Sequence, residues 1–540
     1  MAVGFLSLPT ELLCHILLLL TPRDLCCGAI PTCKTLCYAV QNSAHIQYKL
    51  ELYAQGFTET ATLDSIGISR KMHSLKKLES MWRSDFHVNI VFQAEVTTSA
   101  THGAQYMKSG LWWTRRDHNL FIQECNPDIK LFRTWPSHSL SLRSQHILQS
   151  VIVDPVQDLM VVVSSPSPHV ANDADQDHCV FSMEFYMLSS QLPHPDSACA
   201  SLECKHTAEV PAVYCVVCLR GPVIYGDRIV IPYFIEPHPG SPAIHIQVVD
   251  WRKGQAQSFP LGQQSGQLGM SRHFHLIDQQ TLVVIGTNGP ITLYTLQEPD
   301  GSPQRRITYI LPQYSLPRPF YYVVHVTTSF RGAAARPDLM PGYVPSLEPQ
   351  IMVLEVVLPP SPVILVIDMA IFLQQAVHLE TPVEIPWSDW GPHHTWCFPH
   401  HPSHRISVFG SRMAYALPQD RTPEPGERLE ALSTNDRFYV HIWDFNRRAI
   451  ARSEHTCDPD SPNLFVRKPG RLAELPLCRK ITSNNPYIAT VCHTSFSTRN
   501  FSGLFLDQDR FTMTWLRSGS VVDIQVVSPA HTEVGSDPTN

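Results

Sequence analysis

Near residue 85 the spacing of apolar residues changes from a helical period to an alternating one, which divides the chain into a short α-helical start and a long β region. Before the change, Leu12, Ile16, Leu19 and Leu20 recur at helical spacing. After it, strand-like runs bounded by Pro, Gly, Asp or Ser follow one another. They include Ser150–Val153, Met160–Val163, Val180–Leu188, Val223–Ile224 with Arg228–Ile231, and Ile244–Trp251. Pro232 reads as the end of the fourth run. Further runs are Thr281–Gly286, Ile291–Leu296, Tyr321–Val326, Ile351–Val357, Arg405–Phe409, Phe438–Phe445 and Gly503–Asp507. The 45 prolines suit short connections between strands and disfavour long helices.

The first sixty residues carry local helix signals. Pro9 suits a first helical turn and Glu11 faces the positive end of the helix dipole. Leu12, Ile16, Leu19 and Leu20 share one face, and Leu13, Leu17 and Leu18 cover most of the rest. Such a helix is expected to be buried on more than one side. Thr21, Pro22 and Asp24 form a second helix start, with an apolar face at Leu25, Cys26, Ala29 and Ile30 and a stop at Pro31. Thr32 is placed to cap a third helix, and Gly56 to end a fourth. Helices this short cannot bury all their large side chains among themselves, so a partner surface is expected over them. The run Leu12–Leu20 is about half the length that spans a bilayer, and no Lys or Arg precedes Arg23, so neither an anchor nor a secretory signal is expected.

The order Leu6-Ser7-Leu8-Pro9-Thr10-Glu11-Leu12-Leu13-Cys14-His15-Ile16-Leu17, then Leu20, Pro22, Asp24-Leu25 and Cys33-Lys34, resembles the F-box. The aromatic that often follows the last pair is absent, and Leu36 and Cys37 occupy that neighbourhood. The resemblance implies docking onto the Skp-type adaptor of a cullin–RING ubiquitin ligase. By position, Leu8, Pro9, Leu12, Ile16, Leu17, Leu20, Pro22 and Leu25 would meet the adaptor. The segment Ile385–Pro392 resembles one in fungal F-box proteins with β-rich C-terminal halves, and reads physically as a loop pinned by two buried tryptophans.

The β region has its own resemblance. Ile244–Trp251 and Val440–Phe445 look like the third strand of a WD-repeat blade. Val151–Val163 and Arg272–Gly286 place Asp154, Asp158 and Asp278 before hydrophobic runs, as in a blade's inner strands. The expected fold is therefore multidomain, a small all-α F-box followed by a large all-β domain, a β-propeller of about six to eight blades. A double β-sandwich is the alternative. The expected boundaries are a helical module at 1–57, a helical linker at 58–88, the β domain at 89–530 and a disordered tail at 531–540. The linker contains a helical stretch from Ile68 to Arg83, and Arg331–Pro349 reads as an inserted loop.

No P-loop, G-x-S-x-G, H-E-x-x-H or Rossmann fingerprint is present, so no catalytic residue and no cofactor are expected. His393, His394, His400, His401 and His404, with Cys397, lie within a dozen residues but lack a rigid second ligand pair, and read as loop histidines. Cys215 and Cys218 are three apart in a strand-like run and point to opposite faces, so no metal site is expected there either. Scattered cysteines suggest an intracellular, reduced protein. The net charge of −7 is spread along the chain and gives no basic face for nucleic acid. The function expected is substrate recognition for the ligase, with the F-box holding the adaptor, and through it a cullin, and the β domain holding a target protein. The alternatives are an F-box scaffold outside a ligase, and a propeller enzyme such as a glycosidase or lactonase.

Overall fold

The computed structural model describes residues 5–529, except 83–85, 96–103, 117, 126–137, 141–145, 167–178, 206–211, 218–221, 238–242, 264–272, 287–289, 297–301, 313–320, 328–335, 358–361, 375–380, 424–426, 428, 434–435, 457–464, 468–484 and 518–520. The tail expected at 531–540 lies outside them. Among the described residues, seven sheets of four or more strands succeed one another along the chain. Their strands fall within 105–139, 146–205, 212–263, 273–309, 321–399, 406–491 and 501–529, with Val383–Ile385 added to the fourth sheet in parallel and Phe86–Glu95 added to the seventh. The first strand of each sheet is innermost, and these strands meet around an axis. Gln105–Lys108 touches Phe501–Leu506, which touches Ile406–Phe409, which touches Tyr321–Val326. The large domain is thus a seven-bladed β-propeller.

Each strand of a propeller is sandwiched between two neighbouring blades, so alternate side chains serve two different interfaces. Leu159, Val161 and Val163 join a core with Phe181, Tyr233 and Trp251, between the second and third blades. Met160 and Val162, on the same strand, join Leu111, Trp113 and Ile122, between the first and second. The run is apolar throughout because both faces are dry. Equivalent clusters fill the other five blade interfaces.

The ring closes by a strand from the other end of the chain. Phe86–Glu95 pairs antiparallel with Val521–Pro529, from Phe86 opposite Pro529 to Glu95 opposite Val521, and supplies the outer strand of the seventh blade. Ala243–Asp250 and Arg437–Asp444 are indeed the third strands of their blades. Pro232 does not end its strand, which runs from Arg228 to Pro237. On one side this strand pairs with Val223–Tyr225 up to Val230, and with Ala212–Val217 from Tyr233 onward. Pro232 falls in the gap between these partners, where a missing N–H costs least.

At the N-terminus, helices Thr10–Leu19, Lys34–Asn42 and Ala44–Gln55 enclose a small core of Leu17, Leu25, Ala29, Leu36, Ala39, Val40 and Ile46. Thr21 caps the turn after the first helix: its hydroxyl accepts from Asp24 N at 3.1 Å and donates to Asp24 Oδ2 at 2.7 Å. Pro31 stops nothing. It lies inside a last turn, and the chain breaks at Cys33 (φ −160°), which occupies the cap position expected for Thr32. The Thr32 hydroxyl bonds back to the Gly28 carbonyl instead.

Gly56 ends the helix Ala44–Gln55 in a left-handed conformation, with φ +75° and its N–H directed at the Leu52 and Tyr53 carbonyls. A Cβ there would stand 2.5 Å from Pro349 Cγ. Gly56→Ala combines a backbone cost of about 1–2 kcal/mol with this clash. The thermal unfolding midpoint should therefore fall by several degrees. Calorimetry showing an unchanged midpoint would mean that this junction is not part of the cooperative structure.

Candidate functional site

The helical module is fixed to one end of the propeller. Phe57–Glu59 pairs with Tyr343–Pro345, which belongs to the insertion read at 331–349 and connects the first two strands of the fifth blade. The helix Ile68–Met81 buries Leu75 and Leu78 in one cluster with Tyr48, Phe57 and Trp82, and with Phe438, Val440 and Phe511 of the sixth and seventh blades. It is part of the propeller's packing and more than a linker. Trp82 Nε1 donates to the Gln508 carbonyl at 3.1 Å, and the Arg412 guanidinium lies 5.1 Å over the Trp82 ring.

Polar contacts complete the seam. The last carbonyls of Ala44–Gln55 have no partners within the helix. Asn446 Nδ2 reaches the Ala54 carbonyl at 2.8 Å, and Arg448 Nη1 the Tyr53 carbonyl at 3.0 Å. Arg448 also lies over the Tyr53 ring and pairs with Glu348. Buried Glu51 accepts from Arg452 Nη1 and from Gln55 Nε2, both at 2.8 Å. Cations at a helix C-terminus complement its dipole. A cavity of about 50 Å³ remains in this seam, lined in part by Gln55, Glu79, Arg412 and Asp444.

The first helix faces away from this seam on one side. Leu13 and Leu17 point inward at 2% exposure. Leu12, Ile16 and Leu19, at spacings of four and three, form an outward stripe exposed by 49%, 37% and 85%. Phe5, Leu6 and Tyr38 are also exposed. Among the described residues, thirteen large apolar side chains are exposed, and six of them fall within the first 38 residues. Exposed apolar side chains grouped in this way are a common feature of interaction sites. The expectation that this helix is buried on more than one side is not met within the chain. The propeller contacts the later helices and leaves the stripe bare.

The eight residues singled out in the sequence separate accordingly. Leu12, Ile16 and Pro9 are exposed, and Leu8, Leu20 and Pro22 are half-buried. Leu17 and Leu25 are interior in this chain, at 2% and 0% exposure. They hold the module's core, because Leu17 lies on the Leu13 side of the helix. Missing from the eight were Leu19, the most exposed of the stripe, and Lys49. Lys49 Nζ donates to the Leu18 and Leu20 carbonyls, each at 2.7 Å, and so caps the first helix from the neighbouring one. A basic residue thirty positions away carries no local signal of that role.

Of the histidine-rich segment, His400, His401 and His404 lie in a connection between strands, and the rest does not. His393 and His394 end a helix, Trp387–His394, in which Trp390 is buried and Trp387 half-buried. Cys397 lies on the buried strand Thr395–Pro399. His400 and His404 are 4% and 1% exposed, because Tyr415 and Glu355 from distant strands receive them. Cys215 lies on the strand Ala212–Val217, and Cys218 lies outside the described residues. Among the described residues, no group of three or more His, Cys, Asp or Glu is placed to hold a metal ion, and no helix is long and apolar enough to cross a membrane.

No protein-family model matches this chain, and no curated protein matches it. Solved structures similar to it include the WD40 domain of SCAP from fission yeast, at 8% identity and a TM-score of 0.33, covering 82% of this chain and 98% of that one. Another is the WD40 domain of coronin from Toxoplasma gondii, at 7% identity and a TM-score of 0.37, covering 83% and 90%. These are likenesses of fold, and the propeller assignment rests on the seven sheets themselves.

Replacing Lys49 by Met keeps an aliphatic stem but removes two charge-assisted hydrogen bonds, each worth about 1.5–3 kcal/mol. Backbone amides near the end of the first helix should then exchange at least tenfold faster. Unchanged exchange there would show that the Lys49 cap does not hold the helix.

Proposed function

We propose that this chain is the substrate-recognition subunit of a cullin–RING ubiquitin ligase inside the cell. Its helical module docks a Skp-type adaptor, and its propeller holds the target protein. The observation that carries this reading is the bare stripe of Leu12, Ile16 and Leu19 on a module anchored to the propeller through its other helices. The sequence resemblance assigns an adaptor to that same surface. Leu8, Pro9, Leu20 and Pro22 flank the stripe with partly accessible apolar surface. Leu17 and Leu25 support it from beneath. The aromatic after Cys33-Lys34 is missing, and Tyr38, four residues on from Lys34, is exposed on the same module.

An anchored module supports such a role, because a ligase must present its target in a defined orientation. Propellers suit this role, because loops on such a scaffold can serve protein partners. Removing residues 1–57 would be a poor test, because Tyr48 and Phe57 would be stripped from the propeller core.

A point substitution on the stripe is cleaner. In Ile16→Asp a carboxylate would enter a dry interface unpaired, which costs several kcal/mol. Binding to a purified Skp-type adaptor, measured by titration calorimetry, should weaken by at least about a hundredfold. The thermal transition of the propeller should stay in place, since Ile16 is exposed and lies outside the cluster that joins the module to the propeller. Binding within about threefold of wild type would refute the docking. Adaptor binding without recovery of a cullin would point to a scaffold outside a ligase.

A further inference from the structure

Ten serines or threonines in this chain stand directly before a proline, and six of them fall in the described residues: Thr21, Ser165, Ser302, Thr381, Thr422 and Ser528. Burial removes three of the six. Ser165, Thr422 and Ser528 are 6%, 4% and 7% exposed, too little for another enzyme to reach the hydroxyl. Thr21, Ser302 and Thr381 are exposed. The residue three positions on separates these. It is Asp24 after Thr21 and Glu384 after Thr381, but Arg305 after Ser302. Of all ten, Ser302 alone has a Lys or Arg at that distance.

The backbone around Ser302 suits an enzyme that takes its substrate stretched out. Ser302 and Pro303 lie just before the strand Gln304–Tyr309, the outer strand of the fourth blade, and the ladder does not include them. On one side Ile291–Thr295 pairs with this strand from Gln304 to Tyr309. On the other, Val383–Ile385 pairs only with Ile307–Tyr309. Among the described residues, 304–306 therefore keep a free outer edge, and Gln304 and Arg305 are exposed on it. In an extended chain Arg305 stands about 10 Å beyond Ser302. Neither the Ser302 nor the Arg305 side chain is engaged by another described residue, whereas the Thr21 hydroxyl is held by Asp24.

Pro303 adds selectivity of its own. It has no N–H, so a binding pocket without an acceptor at that position admits it and leaves no polar group unpaired. We propose that Ser302 is a phosphorylation site for a protein kinase that requires proline after the acceptor and a basic residue three positions on. ATP is the donor. Ser302 Oγ bonds to the γ-phosphorus as the bond from that phosphorus to the β–γ bridging oxygen breaks. ADP leaves, and the hydroxyl proton passes to the catalytic carboxylate of the kinase. Arg305 pairs with an anionic group on the kinase in a charge-assisted contact.

The position of the site is fixed by the blade. Leu296 N donates to the Gln280 carbonyl at 2.6 Å, so the connection leading to Ser302 starts beside the one between the first two strands of the fourth blade. The equivalent connection of the fifth blade carries the pairing with the helical module. The phosphate would therefore stand at the module-bearing end of the ring, one blade away. It adds about 1.5 to 2 negative charges at neutral pH, outside the apolar blade interfaces, so it marks the surface and leaves the fold in place. The site is independent of what the module binds.

The full chain is incubated with magnesium, ATP and a purified proline-directed kinase of the cyclin-dependent class, and initial rates at each site are read by mass spectrometry of proteolytic peptides. Ser302 should be modified at least about tenfold faster than Thr21 or Thr381, which lack the charge-assisted contact. Arg305→Ala should slow modification of Ser302 by at least about tenfold for the same reason. Arg305→Lys should stay within about threefold of wild type, because the positive charge remains. An unmodified Ser302 in the folded chain overturns the proposal. So does a rate no greater than at Thr21 and Thr381, or an undiminished rate in Arg305→Ala.

Discussion

Everything in this molecule is referred to the pairing of Phe86–Glu95 with Val521–Pro529. Without it the seventh blade would lack its outer strand and expose an unpaired edge. Because loop-closure entropy grows only with the logarithm of loop length, joining strands so far apart in sequence costs little more than joining near ones. The closing strand also fixes what precedes it. Trp82 and Phe86 pack at 5.8 Å, and Phe86 meets Phe511 at 5.6 Å, so the helix Ile68–Met81 is held against the ring by the strand that closes it.

From this anchor the orientation of the helical module follows. The helix Ala44–Gln55 lies on Ile68–Met81, and its C-terminal carbonyls and Glu51 are met by Asn446, Arg448 and Arg452 of the sixth blade. The first helix is one layer further out, and its main contacts among the described residues, with Lys34–Asn42 and Ala44–Gln55, lie within its own module. Its inward side chains complete a core too small to cover its outward ones. The Leu12, Ile16 and Leu19 stripe is exposed for that reason, and an apolar face left over on a rigid support is where a partner gains most from burial.

The blade interfaces divide into two kinds of material. Most of their area is aliphatic and aromatic and responds little to pH. At the junction of the fifth and sixth blades an aromatic cluster around Trp396, Phe398 and Trp443 gives way to Glu355, Tyr415 and two buried histidines. Hydrogen bonds among such groups in a low dielectric help to fix the strands and connection that carry them.

Sequence by itself determined the element types, because hydrophobic period, caps and turn residues are local. The run Met160–Val163, the third-strand patterns ending at Trp251 and Phe445, the Thr21 cap and the left-handed Gly56 were all legible within a few residues. Apolar excess on the first helix was legible too, although not which half of it faces out. Leu17 and Leu25 cannot be separated from Leu12 and Ile16 by hydrophobicity, since the distinction depends on which side the neighbouring helices occupy. Tertiary structure alone decided the blade number, the closing strand, the use of residues 343–345 as a clamp on the module, the passage of a strand through Pro232, and the burial of His400 and His404. Each of these depends on a partner far away in sequence, and what a side chain contributes there is set by the group it meets.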